Sequence, residues 1–324
     1  MRKEASHIKQ VEAGFSRLAG AALGTMCGDA LGMPVEGWSA AAIAGEYGRL
    51  HEMVSGRLPP GSYTDDSQMM IAILETLAHC GRLDPAYLAR RFVEGFEPWR
   101  GYGGRIFGVM DRLRAGVPWD QAGTDSFGNG GAMRVGVIDA FYAGNQERLL
   151  NAALDQCRIT HFHPQGLASA AAQALAVGLA CRLGVAGSTP DAAAFVEHLA
   201  QAVEDMDFHF AGRLRAMPEL PLGDEVGVRK ALGSVYACDV TAAEAVPPAI
   251  GCFLGAGSAE QAVVMAVSLG GDTDTIGAMA GALAGAYWGI EALPRKWLDV
   301  LENGSKGRDY AAGLCRRCVQ GKTS

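Results

Sequence analysis

Apolar residues recur at three- and four-residue spacing through most of this chain, and no stretch alternates apolar and polar residues over strand length with hairpin signals at its ends. That periodicity constrains the fold more than any other feature, because a period near 3.6 places the apolar side chains on one helical face. It predicts helices over 15–27, 67–80, 85–94, 106–114, 134–142, 147–158, 168–183, 191–206, 226–232, 242–254, 259–268, 275–288 and 310–319. Glycine is abundant (44 residues) and aromatic residues are few, at 7%. Small residues let helix backbones approach closely and suit a sheet poorly. We therefore expect an all-α protein, an orthogonal multi-helix bundle. No composition shift marks a linker, so a single domain over 1–324 is expected, with 208–227 as a loop excursion.

The formal charge of −7 argues against a nucleic-acid partner, which needs a basic face. The longest apolar run, 276–290, falls short of the roughly 18–20 residues that span a bilayer, so no membrane partner is expected. No secretory signal is visible: Glu4 and Glu12 interrupt the start, and 19–26 is short and glycine-rich. The eight cysteines are scattered, without a disulfide framework, which places the chain in a reducing cytoplasm. The Cys315/Cys318 pair lacks the second pair a zinc site needs. A monomer is expected.

Two loop-to-helix junctions, about 200 residues apart, carry paired acids: Thr64-Asp65-Asp66-Ser67 and Gly271-Asp272-Thr273-Asp274-Thr275. Helix capping needs one such residue, not two acids in each of two places beside apolar helices. Buried carboxylates must be paired or bind metal. An all-oxygen donor set suits hard cations, Mg²⁺ or Mn²⁺, and four aspartates can hold two ions about 3.5–4 Å apart. Gly28-Asp29 through Val35-Glu36 adds two acids where glycines and Pro34 end the first long helix. Asp29 reads either as a further site acid or as a backbone acceptor. Glu36, in a turn with Gly37 and Trp38, suits a gate over a site.

Two glycine-rich turns precede helices. Ser126-Phe127-Gly128-Asn129-Gly130-Gly131 presents backbone N–H groups of the kind that bind anions, with Phe127 able either to stack on a base or to pack in the core. Arg100-Gly101-Tyr102-Gly103-Gly104-Arg105 adds two cations that could meet a pyrophosphate. Neither has the strand or Lys-Ser/Thr context of known nucleotide loops. Thr160-His161-Phe162-His163 offers no partner at zinc-ligand spacing, so His161 reads as bonding substrate or backbone.

In this order these motifs resemble the ADP-ribosylhydrolase family, which includes dinitrogenase-reductase-activating glycohydrolases. The matching blocks run from Gly28–Glu36 through Thr64–Ser67, Arg100–Gly104, Gly128–Arg134 and Thr160-His161 to Ser268–Thr275, nearly the whole chain. The resemblance implies an all-α fold with a central binuclear Mg²⁺ or Mn²⁺ cleft. It implies Thr64, Asp65, Asp66, Asp272, Asp274 and Thr275 as ligands and Glu36 as a gating glutamate. It also implies Gly101, Gly103, Ser126, Phe127, Gly128, Asn129 and His161 against ADP-ribose. Glu36 and Asp272 are both candidates for the general base. The blocks look most similar to the branch acting on ADP-ribosyl-serine, poly(ADP-ribose) and O-acetyl-ADP-ribose, with arginine-directed members sharing the scaffold. Phe127 replaces a frequent Tyr, Ser67 replaces Thr, and 208–239 matches poorly. The implied partner is an ADP-ribosylated protein or small conjugate. The rival readings are another two-metal hydrolase, such as a phosphoesterase, and a catalytically silent ADP-ribose-binding or structural relative.

Overall fold

A computed structural model describes residues 2–142 and 145–321; the rest of the expected 1–324 span lies outside the described residues. Among them the protein is all α-helix, with short 3₁₀ turns and three isolated β-bridges. The long helices fall where the periodicity places them, two with the same ends, Pro85–Glu94 and Ala242–Leu254, and Gln146–Arg158 starting one residue earlier.

The packing centre is one antiparallel helix pair, Arg2–Gly32 against Thr273–Trp288. Gly20, Gly24, Gly28 and Gly32 stand four apart, so they form one ridge along the first helix. They face Gly285, Gly281, Gly277 and Thr273 in turn. A Cβ on Gly20 would lie 2.2 Å from the Gly285 carbonyl oxygen, and one on Gly28 would lie 1.9 Å from that of Gly277. The two backbones touch because both ridges lack side chains. Since the helices run in opposite senses, the C-terminal end of the first, with Asp29, meets the N-terminal end of the other, with Asp272 and Asp274. Around this pair a continuous apolar core takes in the Asp65–Cys80, Pro164–Ala186, Ala242–Leu254 and Ala259–Val267 helices.

The structure corrects several expectations. The first helix does not end at Gly28 but runs on to Gly32, so Asp29 lies in its last turns rather than beyond it. The single helix expected over 134–142 is broken into Gly130–Met133, a 3₁₀ turn at Val135–Val137 and Asp139–Tyr142. There the chain presses on the central pair: a Cβ on Gly136 would sit 2.7 Å from that of Ala282. The expected 208–227 loop contains a helix, Phe208–Arg215, capped by Asp207 accepting from Phe210 N at 2.7 Å. Two short helices, Ala40–Tyr47 and Arg295–Val300, were not foreseen. Two helices, within Val11–Val35 and Pro164–Ala186, are longer than the 276–290 run. By length and composition they could cross a bilayer, yet 94% and 67% of those windows are buried inside the protein, as in core helices.

Candidate active site

The two acidic junctions meet. Thr64 caps the Asp65–Cys80 helix, its Oγ1 donating to Asp66 Oδ2 at 3.1 Å and accepting from Asp66 N. This junction is held from below by Asp29. Its carboxylate accepts from the Thr64 and Ser67 backbone N–H groups at 2.9–3.1 Å and from Ser67 Oγ at 2.5 Å. Asp29 therefore acts as the backbone acceptor, ordering the helix start. At the other junction Gly270 and Gly271 have φ of +80° and +75°, a conformation favouring glycine. The sharp turn brings Asp272 N onto the Cys238 carbonyl at 2.8 Å and aims both aspartates inward.

Carboxylate oxygens of Glu36, Asp272 and Asp274 lie within 4.8 Å of one another. Asp65, Asp66 and Thr275 line the same cleft, so the two junctions share one wall. Thr64 is buried behind them and is absent from the cleft lining. Glu36 stands exposed at the rim. Its turn is tied down by reciprocal backbone bonds, Gly37 N to Gly271 O and Gly271 N to Trp38 O, both 2.8 Å.

So many buried acids repel. Burial, then neighbouring carboxylates, raises Asp65 to about 7 and lifts Asp66 and Asp274 well above the usual carboxylate range. Burial raises Asp29 to about 6 against its hydrogen bonds, and raises Asp272 as well. Asp66 Oδ1 is buried without a hydrogen-bond partner. An orphaned carboxylate oxygen among like charges calls for positive charge, and an all-oxygen donor set fits a hard divalent cation.

The cleft, about 380 Å³, runs from these acids to the glycine turns. Gly101, Gly103, Ser126, Phe127, Gly128, Asn129 and His161 all line it. Asn129 joins the two ends, Nδ2 donating to Asp272 Oδ2 at 2.6 Å. Ser126 Oγ accepts from Gly128 N at 3.2 Å and shapes the turn. Phe127 is 44% exposed on the cleft wall, in a T-shaped contact with His163 at 5.7 Å between ring centroids. Of the two expected cations, Arg105 lines the cleft. Arg100 does not: it is buried, bonded to Glu97, Glu302 and the Tyr63 carbonyl and packed on the Tyr63 and Trp99 rings, so it braces the loop.

Arg57 escaped the sequence reading. It pairs with Glu36 and reaches Asp274 Oδ2 at 3.6 Å, partly offsetting the acids. Nothing in its loop, Gly56-Arg57-Leu58-Pro59-Pro60-Gly61, forms a recognisable motif. Val240 and Thr241 also line the cleft, brought in by Asn129 N bonding to Val240 O at 3.2 Å. They follow directly on the 208–239 segment.

A glycine-ridged helix pair that converges acids on a cleft edged by glycine turns is an all-helical arrangement of the glycohydrolase kind. Comparison with known proteins makes this specific. A family model of ADP-ribosylglycohydrolases matches residues 11–323, and the chain belongs to that family. It is 32% identical to ADP-ribosylhydrolase ARH3 of Mus musculus, over 94% of this chain and 92% of that protein. It is 30% identical to the ADP-ribosyl-[dinitrogen reductase] glycohydrolase of Rhodospirillum rubrum, over 88% and 90%. A solved structure described as an ADP-ribosylglycohydrolase-related protein complex superposes with a TM-score of 0.72 at 27% identity, covering 95% of this chain and 99% of that one.

Proposed function

We propose that this ADP-ribosylhydrolase cleaves O-linked ADP-ribose, from serine, poly(ADP-ribose) or O-acetyl-ADP-ribose, with two Mg²⁺ or Mn²⁺ ions. The observation that carries the reading is the orphaned Asp66 oxygen among converging aspartates at one end of a cleft whose other end offers glycine turns, Phe127 and His161. Thr64, Asp65, Asp66, Asp272, Asp274 and Thr275 are the ligands, Thr64 also setting the start of the Asp65 helix. Bound divalent cations would supply charge that orients the vicinal ribose hydroxyls and acidifies a water.

The chain's own residues supply the rest. Gly101, Gly103, Ser126, Gly128, Asn129 and His161 hold the nucleotide, and Phe127 covers its base. Fixing the ribose converts the attack on its anomeric carbon into a positioned reaction. Either Glu36 or Asp272 accepts the water proton, and the bond to the acceptor oxygen breaks through an oxocarbenium-like transition state. Asp272 is held still by Asn129; Glu36 sits at the rim, beside the entering acceptor. The eight free cysteines support a cytoplasmic setting.

The reading predicts cation-dependent release of ADP-ribose, faster from ADP-ribosyl-serine than from ADP-ribosyl-arginine in matched peptides. A serine alkoxide is the poorer leaving group and gains more from charge stabilisation. A preference for arginine of about tenfold or more, about 1.4 kcal/mol in barrier, would reverse the acceptor assignment. Turnover of phosphate esters alone would replace the activity, and ADP-ribose binding without turnover would mark a silent relative.

A further inference from the structure

One wall of the cleft holds a buried cation with neutral partners. Arg134 donates from Nε to Gln156 Oε1 at 2.7 Å, and from Nη2 to Gln156 O at 2.9 Å and Thr160 Oγ1 at 2.8 Å. Its Nη1 lies against Met69 Sδ, and its plane over the Phe92 ring. A guanidinium only donates, so Thr160 Oγ1 accepts from it and keeps one proton to give.

Two atoms compete for that proton: His161 Nδ1 at 2.7 Å and the Cys157 carbonyl at 3.3 Å. The carbonyl already accepts from Thr160 N at 3.0 Å and His161 N at 2.9 Å, which occupies both lone pairs. The hydroxyl proton therefore goes to Nδ1. An accepting Nδ1 carries no hydrogen, so in a neutral ring the hydrogen is on Nε2. The Nε2 edge faces the glycine turn, where a Cβ on Gly130 would lie 3.2 Å away and one on Gly128 3.7 Å. Glycine at both positions keeps that edge open.

We propose that Arg134 and Thr160 are positioning residues that lock His161 as the neutral Nε2–H tautomer, making it a fixed hydrogen-bond donor to a nucleotide oxygen and not a proton carrier. The charged groups acting on the ring are Arg134 and Arg105, both positive. Burial and these two cations hold its pKa down at about 3. The tautomer stands on the free protein's geometry; its use rests on the ADP-ribose reading above.

The test is long-range ¹H–¹⁵N correlation on histidine-labelled protein, with His161 assigned by its loss in His161→Asn, alongside calorimetric titration with ADP-ribose. The expected spectrum has a bare Nδ1 and a protonated Nε2, unchanged from about pH 5 to about pH 8, the range in which an ordinary histidine titrates. Thr160→Val removes the donor to Nδ1. It should mix the tautomers and weaken ADP-ribose binding about tenfold, while Thr160→Ser should keep both properties. A protonated Nδ1 in the parent, titration of His161 within that range, or an unchanged tautomer in a folded Thr160→Val would overturn the proposal. If Thr160→Val does not fold, the parent and Thr160→Ser spectra decide. If the expected tautomer is found but ADP-ribose does not bind, the lock stands and the substrate reading fails.

Discussion

Gly24 and Gly281 meet backbone to backbone: a Cβ on Gly24 would lie 2.1 Å from the Gly281 carbonyl oxygen, and one on Gly281 would lie 2.0 Å from that of Gly24. This contact sets the spacing of the two helices whose ends carry Asp29 on one side and Asp272 and Asp274 on the other. These acids are thus placed by residues that have no side chain.

Gly281→Ala should destabilise the protein by about 1–3 kcal/mol, the usual cost of overpacking a core, despite the better helix propensity of alanine. Gly313 is the control. It is an exposed helical glycine whose added Cβ would meet nothing within 4 Å, so Gly313→Ala should stabilise by up to about 1 kcal/mol. Denaturant unfolding of the two variants reads both signs. Equal effects would mean the ridge contact does not set the packing.

Asp66→Asn should separate stability from activity. Asp66 is a buried acid among acids, and burial with Asp29, Asp65 and Asp272 raises its pKa well above the ordinary range. Without added cations the neutral variant should melt higher than the parent. Its turnover should fall about 100-fold or more, and its melting temperature should no longer rise with Mg²⁺ or Mn²⁺. A variant that keeps its cation response would remove Asp66 from the ligand set.

The same acids give a pH dependence with a definite sign. Their folded pKa values lie above the unfolded ones, so the native state holds more protons between the two. Their contribution is full below about pH 4 and is lost as pH rises through about 6 for Asp29 and about 7 for Asp65. A divalent cation offsets this loss, so its upward shift of the melting temperature should be larger near pH 7.5 than near pH 5. Comparing each sample with its own cation-free control cancels the other titrating groups. An equal or larger shift at the lower pH would rule out cation binding at these acids.

Glu36→Ala should lower turnover about 100-fold, within the range for losing a general base, and leave the ADP-ribose dissociation constant nearly unchanged. Glu36 pairs with Arg57 at the rim and makes none of the glycine-turn contacts. Single-turnover kinetics with a calorimetric binding measurement gives both quantities. If turnover is retained, proton transfer falls to Asp272.

The helices were legible in the sequence because a 3.6-residue period is local: each apolar face announces itself within a few turns. The two acidic junctions and the glycine turns were legible for a related reason, since each is a contiguous run whose residue types exceed what capping requires. The break near Gly136 was not, because it comes from Ala282, some 146 positions along the chain. The role of Arg57 was not, because its partners Glu36 and Asp274 come from two other segments and no local pattern marks the residue. Arg100 and Arg105 look alike in one motif, yet Glu302 draws the first away from the cleft and leaves the second in it. The glycine ridge divides the same way. Its four-residue spacing is written in the sequence, but its partner is not, because a glycine carries no side chain to specify what it touches. Only the folded chain, with the Gly24 and Gly281 backbones in contact, decides how Asp29 comes to hold the Asp66 junction while Asp272 meets it across the cleft.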